Sequence, residues 1–296
     1  MNVLITGADG QVGQVLRQSA PAGIRCVAFG AADLDITGAD LTRQLQHSGA
    51  RLVINAAAYT AVDAAESEAG RARAFAVNAT GAGALAAACA ELDLRLIHLS
   101  TDFVFDGAAG RAYAPDAAPR PINAYGASKY EGERLVAQAL PRALIVRTAW
   151  LYSRFGTNFV KTVLHLLRER DSLSVVCDQI GTPTWAATLA AALWTFAQRP
   201  RLTGIHHYTD AGVASWYDFA VAIQEEALAL GLLTRAVPIT PINSAGYPLP
   251  APRPPCAVLD KTATWRALGA SAPHWRVALR QMLCDWLEHD EEAAHG

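Results

Sequence analysis

Charge is scarce in this chain. Only 18% of its 296 residues are Asp, Glu, Lys or Arg, and 25 basic residues nearly cancel 27 acidic ones, for a net charge of −2. That balance leaves no basic stripe for a phosphate backbone, so nucleic acid is not an expected partner. Cysteine is sparse as well. Cys26, Cys89, Cys177, Cys256 and Cys284 stand far apart, with no C-x-x-C pair. Zinc and dithiol motifs therefore lack support, and each thiol reads as a small apolar residue in a reducing compartment. No apolar run approaches the roughly 18 residues of a membrane span, so no membrane partner is expected. Met1-Asn2 leads into a strand-like run with no basic n-region or cleavage site, and the expected location is the cytoplasm. An apolar share of 52% excludes a disordered chain. The acidic end (Glu288, Asp290, Glu291, Glu292) reads as a solvated, frayed terminus.

What is present is alternation. Short apolar runs at residues 2–5, 25–29, 52–56, 94–100 and 143–147 alternate with helical stretches near 11–19, 41–48, 70–91 and 125–138. Unbroken apolar strands separated by helices predict a doubly wound parallel α/β sheet of the Rossmann type. The second half differs. Pro238, Pro241, Pro248, Pro250, Pro252, Pro254 and Pro255 mark an extended loop. Around it lie strands at 173–177 and 204–208 and helices near 184–198, 215–230 and 274–287, with Ser215 placed to cap the helix that follows it. The expected division is a nucleotide-binding domain over 1–149, completed by 184–210. A smaller substrate-binding lobe takes 150–183 and 211–296.

The first strand runs into Gly7-Ala8-Asp9-Gly10-Gln11-Val12-Gly13, a G-x-x-G-x-x-G turn that opens a helix. Gly7 permits the tight turn, Gly10 lets backbone approach a pyrophosphate, and Gly13 lets helix pack on strand. Gln11 and Val12 carry the first free N–H groups of the helix, where an anion is favoured. The pattern alone is weak; its place between strand and helix makes it a dinucleotide site. The second strand ends at Phe29-Gly30 with no acid for a ribose 2′-OH, which leans toward NADPH. No arginine follows to hold a 2′-phosphate, so NADH stays open. Asp33 or Asp35, with Ile36 beside the latter, is placed near the adenine, a capping carboxylate being the alternative for the acids.

Tyr125-Gly126-Ala127-Ser128-Lys129 is Y-x-x-x-K, and on a helix i and i+4 share a face. An ammonium beside the phenol is expected to lower its pKa from about 10, making Tyr125 a proton donor to a carbonyl oxygen. Upstream, Leu96-Ile97-His98-Leu99-Ser100-Thr101-Asp102 is a strand ending in hydroxyls. Ligands bind at the carboxyl ends of such strands, and Ser100 or Thr101 there can hydrogen-bond a substrate oxygen as it gains charge. Each feature alone has a bland alternative, a surface Tyr/Lys pair or a hydroxyl cap. Their order along one chain is far more specific.

These residues carry a resemblance. The chain resembles the extended short-chain dehydrogenases/reductases, and within them the dTDP-4-dehydrorhamnose reductase family over nearly its full length. Matching stretches are residues 7–13, 55–63, 77–79, 100–105, 125–129, 147–152, 158–159 and 178–184, then Tyr247-Pro248 and Arg253-Pro254. The resemblance implies NAD(P)H-dependent reduction of the C4 keto group of dTDP-4-dehydro-L-rhamnose to dTDP-L-rhamnose, the last step of that sugar's synthesis. It makes Tyr125 the general acid, Lys129 its partner, and Thr101 a residue that tunes Tyr125 and touches substrate. Ala58, Tyr59 and Thr60 would line the cofactor; Asp102 and Trp150 would contact the sugar; Arg253 would sit near the diphosphate. The alternatives are core packing for Trp150 and a loop salt bridge for Arg253. The partner implied is a nucleotide sugar, with a homodimer as the assembly left open. Two positions depart from the family. Phe103 stands where a tyrosine is frequent. Val15 stands where some members have a glutamate that, with C-terminal acids, binds Mg²⁺ between subunits, so a metal is not expected. His206-His207 is no metal pair, since neighbours on a strand face opposite ways. Other nucleotide-sugar reductases or epimerases, and a non-catalytic regulatory subunit of the same fold, are the competing readings.

Overall fold

Runs such as Val3-Leu4-Ile5 and Leu52-Val53-Ile54 have apolar side chains on both faces, and a strand of that kind is stable only when covered twice. The computed structural model describes residues 1–295, with side chains through His289. It has six such strands in one parallel sheet: β1 (Asn2–Thr6), β2 (Arg25–Phe29), β3 (Leu52–Asn55), β4 (Arg95–Thr101), β5 (Leu144–Thr148) and, far along the chain, β10 (Gly204–His207). Their order is β10-β5-β4-β3-β1-β2, every neighbour parallel.

Helices cover both faces. Val3, Ile5, Ile54, Ile97, Leu99 and Val146 point to one side. There they meet α1 (Gln11–Gln18) and α7 (Ala186–Ala197). Leu4, Val53, Leu96 and Ile145 point to the other side. They meet α2 (Leu41–Ser48), α4 (Ala82–Glu91) and α5 (Ala124–Ala139), while α3 (Glu68–Phe75) packs beside α5. The chain leaves β1 toward β2 at one edge, then crosses back to β3 on the other side of β1. The crevice above β1 and β3 is therefore the topological switch point, where such folds bind ligands.

The remaining elements are β6 (Leu151–Tyr152), α6 (Phe159–Glu169), β7 (Leu173–Val176), β8 (Ile180–Gly181), β9 (Thr184–Trp185), β11 (Ala214–Ser215), α8 (Trp216–Ala229), β12 (Ile239–Ile242), α9 (Thr262–Leu268) and α10 (Trp275–His295). While α9 packs on the sheet, most of the others build a second cluster. Val160, Leu164, Phe219, Ile223, Leu279 and Met282 form its centre. Ser215 caps α8 in a full capping box, its hydroxyl accepting from Asp218 N while the Asp218 carboxylate accepts from Ser215 N.

Three sequence expectations change here. The helix anticipated over 70–91 is α3 and α4 with a π-helical turn, residues 76–81, between them. The proline-rich loop contains a strand, β12, paired in parallel with β7. Pro241 fits there because β12 has one neighbour and needs no donor on its open side. The segment 211–296 is not all in the second lobe: Trp265, Leu268 and Ala272 pack on the α1/α7 side of the sheet. Asp290, Glu291 and Glu292 of the acidic end lie outside the described side chains.

Candidate active site

The glycine turn follows β1. Gly7 has φ +70°, and a Cβ on it would stand 2.6 Å from Ala57 N, so the turn lies tightly on the loop after β3. A Cβ on Gly13 would stand 2.2 Å from Gly7 O. Gly10 differs, since a Cβ there would meet only Gly7 O, at 3.3 Å. Gly7 and Gly13 are thus required by the protein's own packing, while Gly10 presents open backbone. Helix α1 begins with no side-chain cap, so its first N–H groups, at Gln11 and Val12, remain for an anion. This cradle fits a pyrophosphate. The Val12 side chain is in the core, and Gln11 Oε1 accepts from Ser153 Oγ (2.9 Å) and Asn158 Nδ2 (3.1 Å) in the second cluster.

Across the switch point, Ala58 and Tyr59 are half-buried and Thr60 is exposed. Asn78, inside the π turn, holds this loop: its Oδ1 accepts from Tyr59 N (2.8 Å) and its Nδ2 donates to Tyr59 O (3.0 Å) and Ser128 Oγ (3.0 Å). An inserted residue in a helix commonly marks a functional region, and here it aims one carboxamide at both the loop and α5. Asp35 is exposed, with its carboxylate engaged by Thr37 N (2.8 Å) and Thr37 Oγ1 (2.7 Å), which keep it below the usual carboxylate range. Ile36 is buried in the core. For these two the side chains are committed to the fold, leaving only backbone groups for a dinucleotide.

Tyr125 and Lys129 sit near the start of α5, over the end of β4. Asn123 caps the helix by accepting from Gly126 N at 2.7 Å. Gly126 lets the helix touch the turn after β4, since a Cβ there would lie 2.1 Å from Phe103 O. The Phe103 and Tyr125 rings meet edge to face at 5.8 Å. Thr101 Oγ1 donates to Asp102 Oδ1 (3.1 Å) and accepts from Phe103 N (3.2 Å). Lys129 Nζ donates to Leu99 O at 2.6 Å.

The electrostatics correct one expectation. Burial pushes the Tyr125 phenol up to about 12, with the Thr101 hydrogen bond opposing and the Asp102 charge reinforcing that shift. The expected lowering by Lys129 is outweighed, since desolvation of the phenol is the largest influence on it. Burial pulls Lys129 down to about 8, opposed by the carboxylate of Glu133. Glu133 is itself paired with buried Arg147 through two hydrogen bonds, of 2.8 and 2.7 Å. Asp102 is pushed up to about 7 by burial. Its Oδ2, with Ser100 Oγ and His98 Nε2, has no partner among the described residues. Unpaired polar atoms this deeply buried are rare unless a ligand completes them.

Asp102 opens onto a cleft whose walls include Trp150, Gln179, Trp216 and Arg253. Trp150 has φ +46° and stacks on Trp216 at 3.5 Å and 4°. Trp216 Nε1 donates to Gln179 Oε1 (3.2 Å). Arg253 does form the loop salt bridge, bidentate to Asp63 at 2.5 and 2.7 Å, and still faces the cleft. Asn78, Gln179 and Trp216 were not singled out from the sequence as site residues. Gln179 falls within the matching stretch 178–184, whereas no local pattern marks Trp216, since α8 reaches the cleft only through tertiary packing. His206 and His207 diverge as expected of strand neighbours, one toward Thr264 and the other toward Arg147. Val15 is on the face of α1 that packs into the core, so this chain offers no metal ligand at that position.

The sequence matches the family described as RmlD substrate binding domain over residues 1–287. It is 39% identical to a dTDP-4-dehydrorhamnose reductase of Aggregatibacter actinomycetemcomitans, over 95% of this chain and 97% of that protein. A protein of the same name from Mycolicibacterium smegmatis is 43% identical over 94% of this chain and 84% of its own length. Among solved structures, the dTDP-4-dehydrorhamnose reductase of Bacillus anthracis in complex with NADP superposes with a TM-score of 0.89 at 35% identity, covering 96% of this chain and 99% of that one.

Proposed function

The chain belongs to the RmlD substrate binding domain family, and on that premise we propose that it is an NAD(P)H-dependent reductase acting on the C4 keto group of dTDP-4-dehydro-L-rhamnose. The product is dTDP-L-rhamnose. What supports the reading most is that Thr101, Tyr125 and Lys129 meet at the carboxyl end of β4, the same end of the parallel sheet that carries the glycine cradle after β1.

A nicotinamide dinucleotide, when bound, supplies the hydride. The protein's work is to place the sugar and move one proton. Tyr125 donates its phenolic proton to the C4 oxygen, and Thr101 hydrogen-bonds the phenol as the charge shifts. Lys129, held at the Leu99 carbonyl, lies one helical turn away on the same face, where its positive charge favours the phenolate that remains. Asp102, with an oxygen free of protein partners, accepts a sugar hydroxyl. The Trp150–Trp216 stack presents an apolar face to the hexose. Asp63 fixes the Arg253 guanidinium in plane, leaving its remaining N–H groups for phosphoryl oxygens. Residues 1–149 with 184–210 hold the dinucleotide, and 150–183 with most of 211–296 hold the nucleotide sugar.

The test follows NADPH or NADH absorbance with dTDP-4-dehydro-L-rhamnose made in situ. Wild type oxidises the cofactor, and Tyr125→Phe loses about 10²-fold or more, the low end for a lost general acid. A folded protein that binds cofactor but oxidises neither form refutes the substrate.

A further inference from the structure

The end of β2 is where a dinucleotide fold places its ribose-binding acid, and this chain has Gly30 there. The structure fills that place from another segment. A Cβ on Gly30 would stand 2.0 Å from Asp9 Oδ2, 2.7 Å from Asp9 Cγ and 2.9 Å from Asp9 Oδ1. The Asp9 carboxylate therefore occupies the volume that an acidic side chain at position 30 would enter. Gly30 is the residue that makes room for it.

The carboxylate is held there by the backbone. Ala8 N donates to Phe29 O at 3.0 Å, which ties the glycine turn to the end of β2. Asp9 O accepts from Gln14 Nε2 at 2.9 Å, so the amide engages the main chain and not the carboxylate. Asp9 is exposed, and its carboxylate has no hydrogen bond or ion pair among the described residues. The surroundings are acidic. Asp33 Oδ2 accepts from Gly30 N at 3.3 Å, which places a second carboxylate at the same strand end. Of the basic residues of this edge, Arg25 begins β2 at its opposite end, and Arg43 on α2, which lines a groove with Phe29 and Asp33, is paired with Asp40 at 2.9 Å.

We infer that Asp9 supplies, from the glycine-rich turn, the carboxylate that accepts a hydrogen bond from the adenosine ribose 2′-OH, and that this chain consequently prefers NADH to NADPH. The inference rests on the reductase reading above and adds a cofactor specificity to it. A ribose hydroxyl donates to the carboxylate. A 2′-phosphate has no proton to spare at neutral pH, brings a charge of about −1.5 to −2, and meets two carboxylates, while the Arg43 guanidinium in the groove beside Asp33 is already paired with Asp40. Position 9 lies one residue before the glycine of the pyrophosphate cradle, so the ribose and the carboxylate are brought together by the same turn.

Equilibrium binding to the ligand-free full chain decides the matter without the keto-sugar. NADH and NADPH are titrated separately by nicotinamide fluorescence, for wild type, Asp9→Asn and Asp9→Ala. Wild type is expected to bind NADH at least about 10-fold tighter than NADPH, a gap that narrows in high salt as the repulsion is screened. Asp9→Asn is expected to bring the two dissociation constants within about 3-fold of each other, chiefly by tighter NADPH binding, and Asp9→Ala to weaken NADH binding as well. Wild type binding NADPH as tightly as NADH overturns the inference, as does an unchanged ratio in Asp9→Asn. A folded chain that binds neither dinucleotide overturns the reductase reading, and the inference with it.

Discussion

Replacing Asp102 by asparagine is expected to stabilise the ligand-free protein by an amount that grows with pH. Asp102 is 2% exposed, its Oδ2 has no partner among the described residues, and burial lifts its carboxyl from the ordinary 3.8 to about 7. The native state thus holds this proton more tightly than the unfolded chain does. The group's stability contribution is full below about pH 4 and is lost as pH rises through about 7. Linkage places the deficit at about 2 kcal/mol at pH 5 and about 4 kcal/mol at pH 8. Asparagine keeps an acceptor for Thr101 Oγ1 and carries no charge, so it removes the deficit. A chain of 296 residues has an unfolding entropy of about 0.6 kcal/mol/K. The melting temperature should therefore rise by about 3 °C at pH 5 and about 7 °C at pH 8. Scanning calorimetry of both proteins at the two pH values measures this directly, and turnover should fall in the same variant, since a sugar contact is lost. An equal gain at both pH values, or a loss at pH 8, would refute the argument that burial of this charge is what costs stability.

Glu133→Gln leaves Arg147, 1% exposed, without its anion, and stability measured in urea should drop by about 3–5 kcal/mol. The same change removes the charge that supports the Lys129 ammonium, so the alkaline limb of the pH–rate profile should move to lower pH; an unmoved limb would separate Glu133 from Lys129. Trp216→Ala removes the ring stacked 3.5 Å from Trp150, and KM for the nucleotide sugar should rise by about 10-fold with a smaller effect on kcat, consistent with the worth of one aromatic pair. Unchanged steady-state parameters would remove Trp216 from the substrate cleft.

The strands of the large sheet were legible because a strand buried on both faces is a continuous apolar run, and β1 to β5 each contain one. Tyr125 and Lys129 were legible because i and i+4 on a helix must share a face whatever surrounds them. Their electrostatics were not, because spacing says nothing of depth: burial governs both the phenol and the ammonium, with the Glu133 carboxylate opposing it at Lys129. The π turn at Asn78 was hidden in an alanine- and glycine-rich stretch whose apolar positions have no clear period to interrupt. The Gly30 vacancy at the end of β2 read as a missing acid, since a sequence places Asp9 and Gly30 21 residues apart and only the fold superimposes them. Arg253 forms the loop salt bridge that was its alternative reading, and it also faces the cleft.

The tryptophan at position 150 has a consequence for how this protein can vary. Its backbone is in the left-handed region, which costs a bulky residue roughly 1–2 kcal/mol. Its indole lies against Trp216 on one side, and on the other a Cβ at Gly181 would stand 2.4 Å from Trp150 Cε2. Position 181 can accept alanine only after position 150 has given up its indole, and of the replacements at 150 glycine would also relieve the backbone. Positions 150 and 181 are therefore coupled: a side chain at 181 is admitted only in a background where 150 has already changed.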